Sequence, residues 1–231
     1  GWKCVNCPNA AEVAHNLKEQ YGDELVIVVM HPETNPNTSY KNAAGKPNEA
    51  VNYTCPEADS IYVRMGGTNT TPFPTGNVNM LNTSGEGLGY FYSQDKWATL
   101  LSQASREVLH VGIEQEVSYN ENKIDVVVKM SNQTADQMNA TLQVWLTEDS
   151  VIGSQKKPNG TDKEYAHNHL MRASITPIWG ESIQLGAHMP HQIVYEYTLP
   201  EKVVKENCNI VAILSINGEV VQAKETRITI E

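Results

Sequence analysis

Two cysteines, Cys4 and Cys7, stand three positions apart at the start of the chain, with Pro8 directly behind the second. A pair so spaced has three outlets: a dithiol that exchanges with other disulfides, a permanent staple, or half of a metal clip. Exchange needs a thiolate, and unpaired N–H groups at a helix amino end favour that charge. Cys4, placed there, is the nucleophile, and Cys7 resolves the mixed disulfide. Lys3 is the neighbouring cation that would lower the Cys4 pKa. A zinc clip wants two more ligands, and no second Cys-x-x-Cys exists to supply them. Exchange and staple both stay open.

His167-Asn168-His169 forms a second constellation. Residues two apart on a strand share a face, so both imidazoles could reach one ion, with Glu164 or Glu148 adding a carboxylate. The competing expectation is a sheet-edge pair bonded to loops, near a polar pairing of Arg172 with Glu181. His31 closes an apolar run and could approach the thiols, or could be an ordinary strand-end histidine. Cys208 alternates with Ile210, Ala212, Leu214 and Ile216, which reads as a small core residue. Cys55, just before Pro56, is a helix-entry residue or an exposed thiol; a Cys55–Cys208 bond would staple the domains. Hydrolytic signatures are absent: no Gly-x-Ser-x-Gly, no His-Glu-x-x-His and no glycine-rich phosphate loop.

The 231 residues carry a net charge of −10 and have no basic run, which argues against a nucleic-acid partner. The longest apolar run, Leu25 to Met30, is far short of the ~20 residues of a membrane span. Seven Asn-x-Ser/Thr triplets are what an Asn- and Thr-rich chain produces by chance, and they indicate a well-solvated surface.

The elements that must position these groups follow from periodicity. Ala10, Val13, Ala14, Leu17 and Tyr21 recur at helical spacing, with Pro8 in the first turn and Gly22 as the stop. Glu24 to His31 reads as a buried, parallel strand. A polar excursion over 32–55 follows, then a helix from Glu57 to Met65 ended by Gly66-Gly67. Thr71 to Thr75 leads into Val78 and Met80. Asn82 to Gly85 turns the chain into a strand through Leu88, Tyr90 and Tyr92, and Trp97 to Val108 is an amphipathic helix. From 108 the period becomes two, through Val111, Ile113, Gln115 and Val117. Strands are expected over 123–128, 138–145, 192–199, 209–216 and 219–230, with Asn217-Gly218 as a hairpin turn. That spacing predicts an antiparallel, Ig-like β-sandwich over 108–231.

A Cys-x-x-Cys helix start, a strand, a helix, the Phe73-Pro74-Thr75 segment entering a strand, a hairpin and a last helix together resemble a thioredoxin fold over residues 2–107. The resemblance makes 1–107 an α/β thioredoxin-like domain whose first strand is missing, removed with a leader or by trimming. It puts Pro74 in the place of that family's cis-proline, beside the sulfurs and offering backbone to an extended substrate. Cys4, Cys7 and Pro74 are then the site residues.

The whole chain resembles a narrower family. Cys4-Val5-Asn6-Cys7-Pro8, Phe73-Pro74-Thr75-Gly76, Trp145 to Asp149, Tyr165 to Arg172 and Trp179-Gly180-Glu181 are similar to the Omp28-related bacterial surface lipoproteins. This implies export, an outer-membrane location facing the periplasm or the cell surface, and attachment by a lipid anchor upstream of residue 1 rather than by a spanning helix. Two functions are compatible with it. One is thiol-disulfide exchange with protein thiols or disulfides, the only enzymatic reading. The other is an adhesin-like, non-enzymatic protein whose Cys pair is structural and which binds a surface-exposed protein partner. Neither calls for a cofactor or a metal; His167 and His169 are the only metal candidates.

Overall fold

The computed structural model describes residues 1–38, 52–81, 90–104, 110–201 and 203–230. Its helices are α1 (Cys7–Tyr21), α2 (Pro56–Arg64) and α3 (Trp97–Ala104). Its strands are β1 (Val111–Asn120), β2 (Lys123–Asn132), β3 (Met138–Glu148), β4 (Val151–Lys157), β5 (Gly160–His167) and β6 (Leu170–Ser174). They continue as β7 (Glu181–Leu185), β8 (Pro190–Thr198), β9 (Cys208–Ile216), β10 (Glu219–Arg227) and β11 (Thr229–Ile230). Two compact units result: Gly1–Ser105 with Asp149–Arg172, and Arg106–Glu148 with Ala173–Glu231. The boundary expected at 107/108 lies outside the described residues. The β4–β5 hairpin, which sequence reasoning placed in the second domain, groups with the first.

In the first unit α1 buries Ala10 and Leu17, carries Pro in its first turn, and ends at Gly22, whose φ of +56° suits a residue without a side chain. Cys55 is the extended entry residue of α2, and Ala58, Ile61 and Tyr62 are the buried face of that helix. The run Leu25–Met30 departs from expectation. It is extended but half-buried, and its pairing among the described residues is a single parallel bridge, Val29 with Leu170. Val29 N–H donates to the His169 carbonyl and Met171 N–H to the Val29 carbonyl. An apolar run signals extended backbone, but a ladder also needs a partner along its length. The turn at 82–85 and Leu88 lie outside the described residues; Tyr92 pairs with Gly76.

The second unit is built from two sheets. One has the order β11-β1-β2-β8; the other runs β10-β9-β3-β6, with β7 also on β3. The pairs β1–β2, β2–β8, β3–β7, β3–β9 and β9–β10 are antiparallel, and β1 pairs β11 in parallel. Period-two patterning explains the core: Ile124, Val126, Val128 and Met130 point inward from β2, and meet Leu142, Val144, Leu146, Ile210, Ala212 and Leu214 from the other sheet. Each buried Leu or Ile contributes about 1.5–3 kcal/mol. Gln115 is one of several buried polar residues here, donating from its Nε2 to the Ile210 carbonyl at 2.7 Å and the Lys224 carbonyl at 3.1 Å. Two-residue turns with both φ positive join β1 to β2 at Glu121-Asn122 and β9 to β10 at Asn217-Gly218. Cys208 is fully buried in β9.

Candidate functional site

Cys4 and Cys7 are joined as a disulfide with Cα atoms 5.4 Å apart. Cys7 opens α1, and Cys7 N–H donates to the Cys4 carbonyl at 3.3 Å, so the bridge closes the turn that leads into the helix. Cys4 is buried while Cys7 is half-buried and Val5 and Asn6 are exposed. The sulfur expected to attack is therefore the less accessible of the two. The Lys3 ammonium, the expected perturber, lies 5.3 Å over the Trp2 ring. Strand β4 holds the loop. Gln155 Nε2 donates to the Cys4 carbonyl at 2.9 Å, and Lys156 N–H donates to the Trp2 carbonyl at 2.7 Å. Gln155 is itself buried.

Pro74 follows a cis peptide bond after Phe73. Its segment is bonded to Tyr92: Thr75 Oγ1 donates to the Tyr92 carbonyl at 3.3 Å, and Gly76 exchanges both backbone bonds with Tyr92.

The same β4 segment builds a second cluster that sequence reasoning missed apart from its two histidines. The β4–β5 register slips between Gly153 and Gln155, which leaves Ser154 in a bulge. Ser154 backbone groups bond Tyr53 and His167. Around His167 lie Tyr53 at 4.4 Å between ring centres, Tyr165 at 4.9 Å and His31 at 5.8 Å. Trp2, Tyr53 and Leu170 pack together beside it, with Val29 and Val151. Gly153 is required here because a Cβ would clash with the Tyr53 hydroxyl. Isolated glycine in a strand pattern was the available signal. His31 is 4% and His167 5% exposed. Burial pushes the His31 imidazole well below its ordinary range and His167 down to about 4, so both are neutral near pH 7.

The remaining candidates separate. His167 ends β5, whereas His169 sits in a turn at φ +58°, so the two do not share a strand face. His169 N–H donates to Asp149 Oδ1 at 2.7 Å. Arg172 donates to the Asn52 carbonyl, and Glu181 accepts from Tyr195 Oη at 2.9 Å, so neither serves the other. Glu148 Oε1 accepts from Val204 N–H, and Glu164 is exposed. Cys55 and Cys208 are both buried thiols outside any disulfide, which removes the bond between them; burial raises Cys55 to about 11. Among the described residues no three His, Cys, Asp or Glu side chains form a metal-holding group.

A family model described as outer membrane protein Omp28 matches residues 66–230. The chain belongs to the Omp28 family. Omp28 membership places it at the outer membrane, and no helix among the described residues is long and apolar enough to cross a membrane. The match takes in Pro74 and the β4–β5 hairpin but starts beyond Cys4, Cys7, His31 and Tyr53. Among solved structures, HBP35 of Porphyromonas gingivalis is similar at 12% identity and TM-score 0.71, over 97% of this chain and 71% of that one. That likeness speaks for the fold. A domain of the outer membrane lipoprotein Omp28 from Porphyromonas gingivalis is 23% identical over 54% of this chain and 93% of that one, at TM-score 0.39. No curated protein matches.

Proposed function

We propose that this Omp28-family protein is an outer-membrane lipoprotein whose first unit is a thioredoxin-like module with an exchangeable dithiol, joined to a β-sandwich. The observation that supports it is the Cys4–Cys7 disulfide at the entrance to α1, where the helix amino end favours thiolate. In the reduced form the Cys4 thiolate attacks a client disulfide, forming a mixed disulfide and releasing one client thiolate. Cys7 then attacks the Cys4 sulfur, restoring the Cys4–Cys7 bond and releasing the second client thiol. Two electrons pass to the client. Pro74 is the third residue of this reading, lending its backbone to the client chain.

One observation favours the alternative of a non-enzymatic surface binder: the burial of Cys4, which suits a structural bridge. Trapping separates the two. A Cys7→Ser variant incubated with a disulfide-bonded client such as insulin accumulates a mixed disulfide through Cys4 if exchange operates, and the unmodified reduced chain reduces insulin. Inactivity of the reduced chain, with no adduct at either cysteine, overturns exchange and leaves the binder.

A further inference from the structure

We propose that His31 and His167 form a two-imidazole site for a soft monovalent metal ion, copper(I) in chemical class, inside the first unit. Both rings are almost wholly buried, and among the described residues Nδ1 of His31 and Nε2 of His167 have no hydrogen-bond partner. An unsatisfied buried nitrogen is costly, and native interiors seldom keep two on rings in mutual contact without a reason. The ring centres are 5.8 Å apart. An ion about 2.0 Å from a nitrogen of each imidazole sets ring centres roughly 5–6 Å apart.

The surroundings suit a ligand role. His167 hydrogen-bonds the Ser154 backbone at the β4 bulge. An imidazole that donates one N–H to a carbonyl presents a bare lone pair on its other nitrogen, which is how metal-binding histidines are oriented. Tyr53 and Tyr165 wall His167, with Trp2 packed on Tyr53, so the ring lies against aromatic surface. The Cys4 and Cys7 sulfurs are bonded to each other. Among the described residues no third His, Cys, Asp or Glu joins the pair. Zinc asks for four ligands, whereas copper(I) accepts two imidazoles in a bent or linear arrangement. The sequence expectation paired His167 with His169; the fold pairs it with His31 instead.

The test titrates the oxidised chain with copper(I) supplied as its acetonitrile complex, and with silver(I) as a redox-silent probe, following imidazole ¹⁵N resonances without added thiol. The expected result is one equivalent bound, with His31 Nδ1 and His167 Nε2 as the shifted nitrogens. Binding persists in a Cys4→Ser/Cys7→Ser variant and falls at least tenfold in folded His31→Phe or His167→Phe variants. Unmoved imidazole nitrogens at one equivalent, or binding that follows the cysteines and survives loss of either histidine, overturns the proposal. The ¹⁵N reading on the unsubstituted chain decides even where a Phe variant does not fold.

Discussion

The two units differ in their apolar clusters, aliphatic in the second and partly aromatic in the first, while each also buries polar side chains. The core of the second unit is aliphatic, with Ile124, Val126, Val128, Leu142, Leu146, Ile210 and Leu214 sealed between two sheets and the Gln115 Nε2 bonded to two carbonyls. The first unit buries His31, Asn35, Thr38, Tyr53, Thr71, Gln155 and His167. Asn35 is matched, its Nδ2 donating to the Thr71 carbonyl at 3.0 Å; among the described residues the two imidazoles keep nitrogens without partners, as Gln115 Oε1 and Trp145 Nε1 do in the second unit. A core that only has to hold shape takes the groups that lose least on leaving water. The buried imidazoles of the first unit lie one β4 segment away from the disulfide.

The contrast can be broken most forcefully in the aliphatic core. Leu146→Ala leaves a cavity in a fully buried site, and chemical denaturation should show a loss of about 3–5 kcal/mol in the second unit's transition. The copper titration of the first unit should be unaffected by it.

Acid tests the other side. Burial lowers the His167 pKa to about 4, from an ordinary value near 6.5. Between those values the unfolded chain takes up a proton that the folded chain refuses. Stability therefore falls as pH drops from about 6.5 to 4, by about 3 kcal/mol from His167, and His31 adds in the same direction. Denaturation curves from pH 7 to 4 check this. His167→Phe should flatten the slope, and an unchanged slope would mean that the ring is not buried in its neutral form.

Gly153→Ala is subtler. Its methyl group must displace the Tyr53 hydroxyl and disturb the bulge that holds His167, at a cost of about 1–3 kcal/mol. The disturbance should register as a moved His167 ¹⁵N resonance, with the second unit's transition unaltered.

How much of this was readable beforehand differs between the units for a physical reason. Patterns that depend on neighbours in sequence came through: the alternation that buries Ile124 to Met130, the Asn217-Gly218 turn, the Gly22 stop of α1, and the Cys4–Cys7 pair at its start. What depends on meeting across the chain did not. Nothing near His31 names His167 or Tyr53 as its neighbour, and Gly153 shows its purpose only when the Tyr53 hydroxyl stands over it. His167-Asn168-His169 misled because the period-two rule assumes a continuing strand, and β5 stops at His167. Leu25–Met30 misled likewise, since hydrophobicity foretold extended backbone but not a ladder.

Whether the Cys4–Cys7 bridge is poised for exchange is measured directly by its equilibrium reduction potential. Equilibrated against glutathione or dithiothreitol buffers and read by alkylation and mass, an exchanging pair lies between about −270 and −120 mV. A potential below about −300 mV would make the bridge a permanent staple and contradict the assignment of chemistry to the first unit's dithiol.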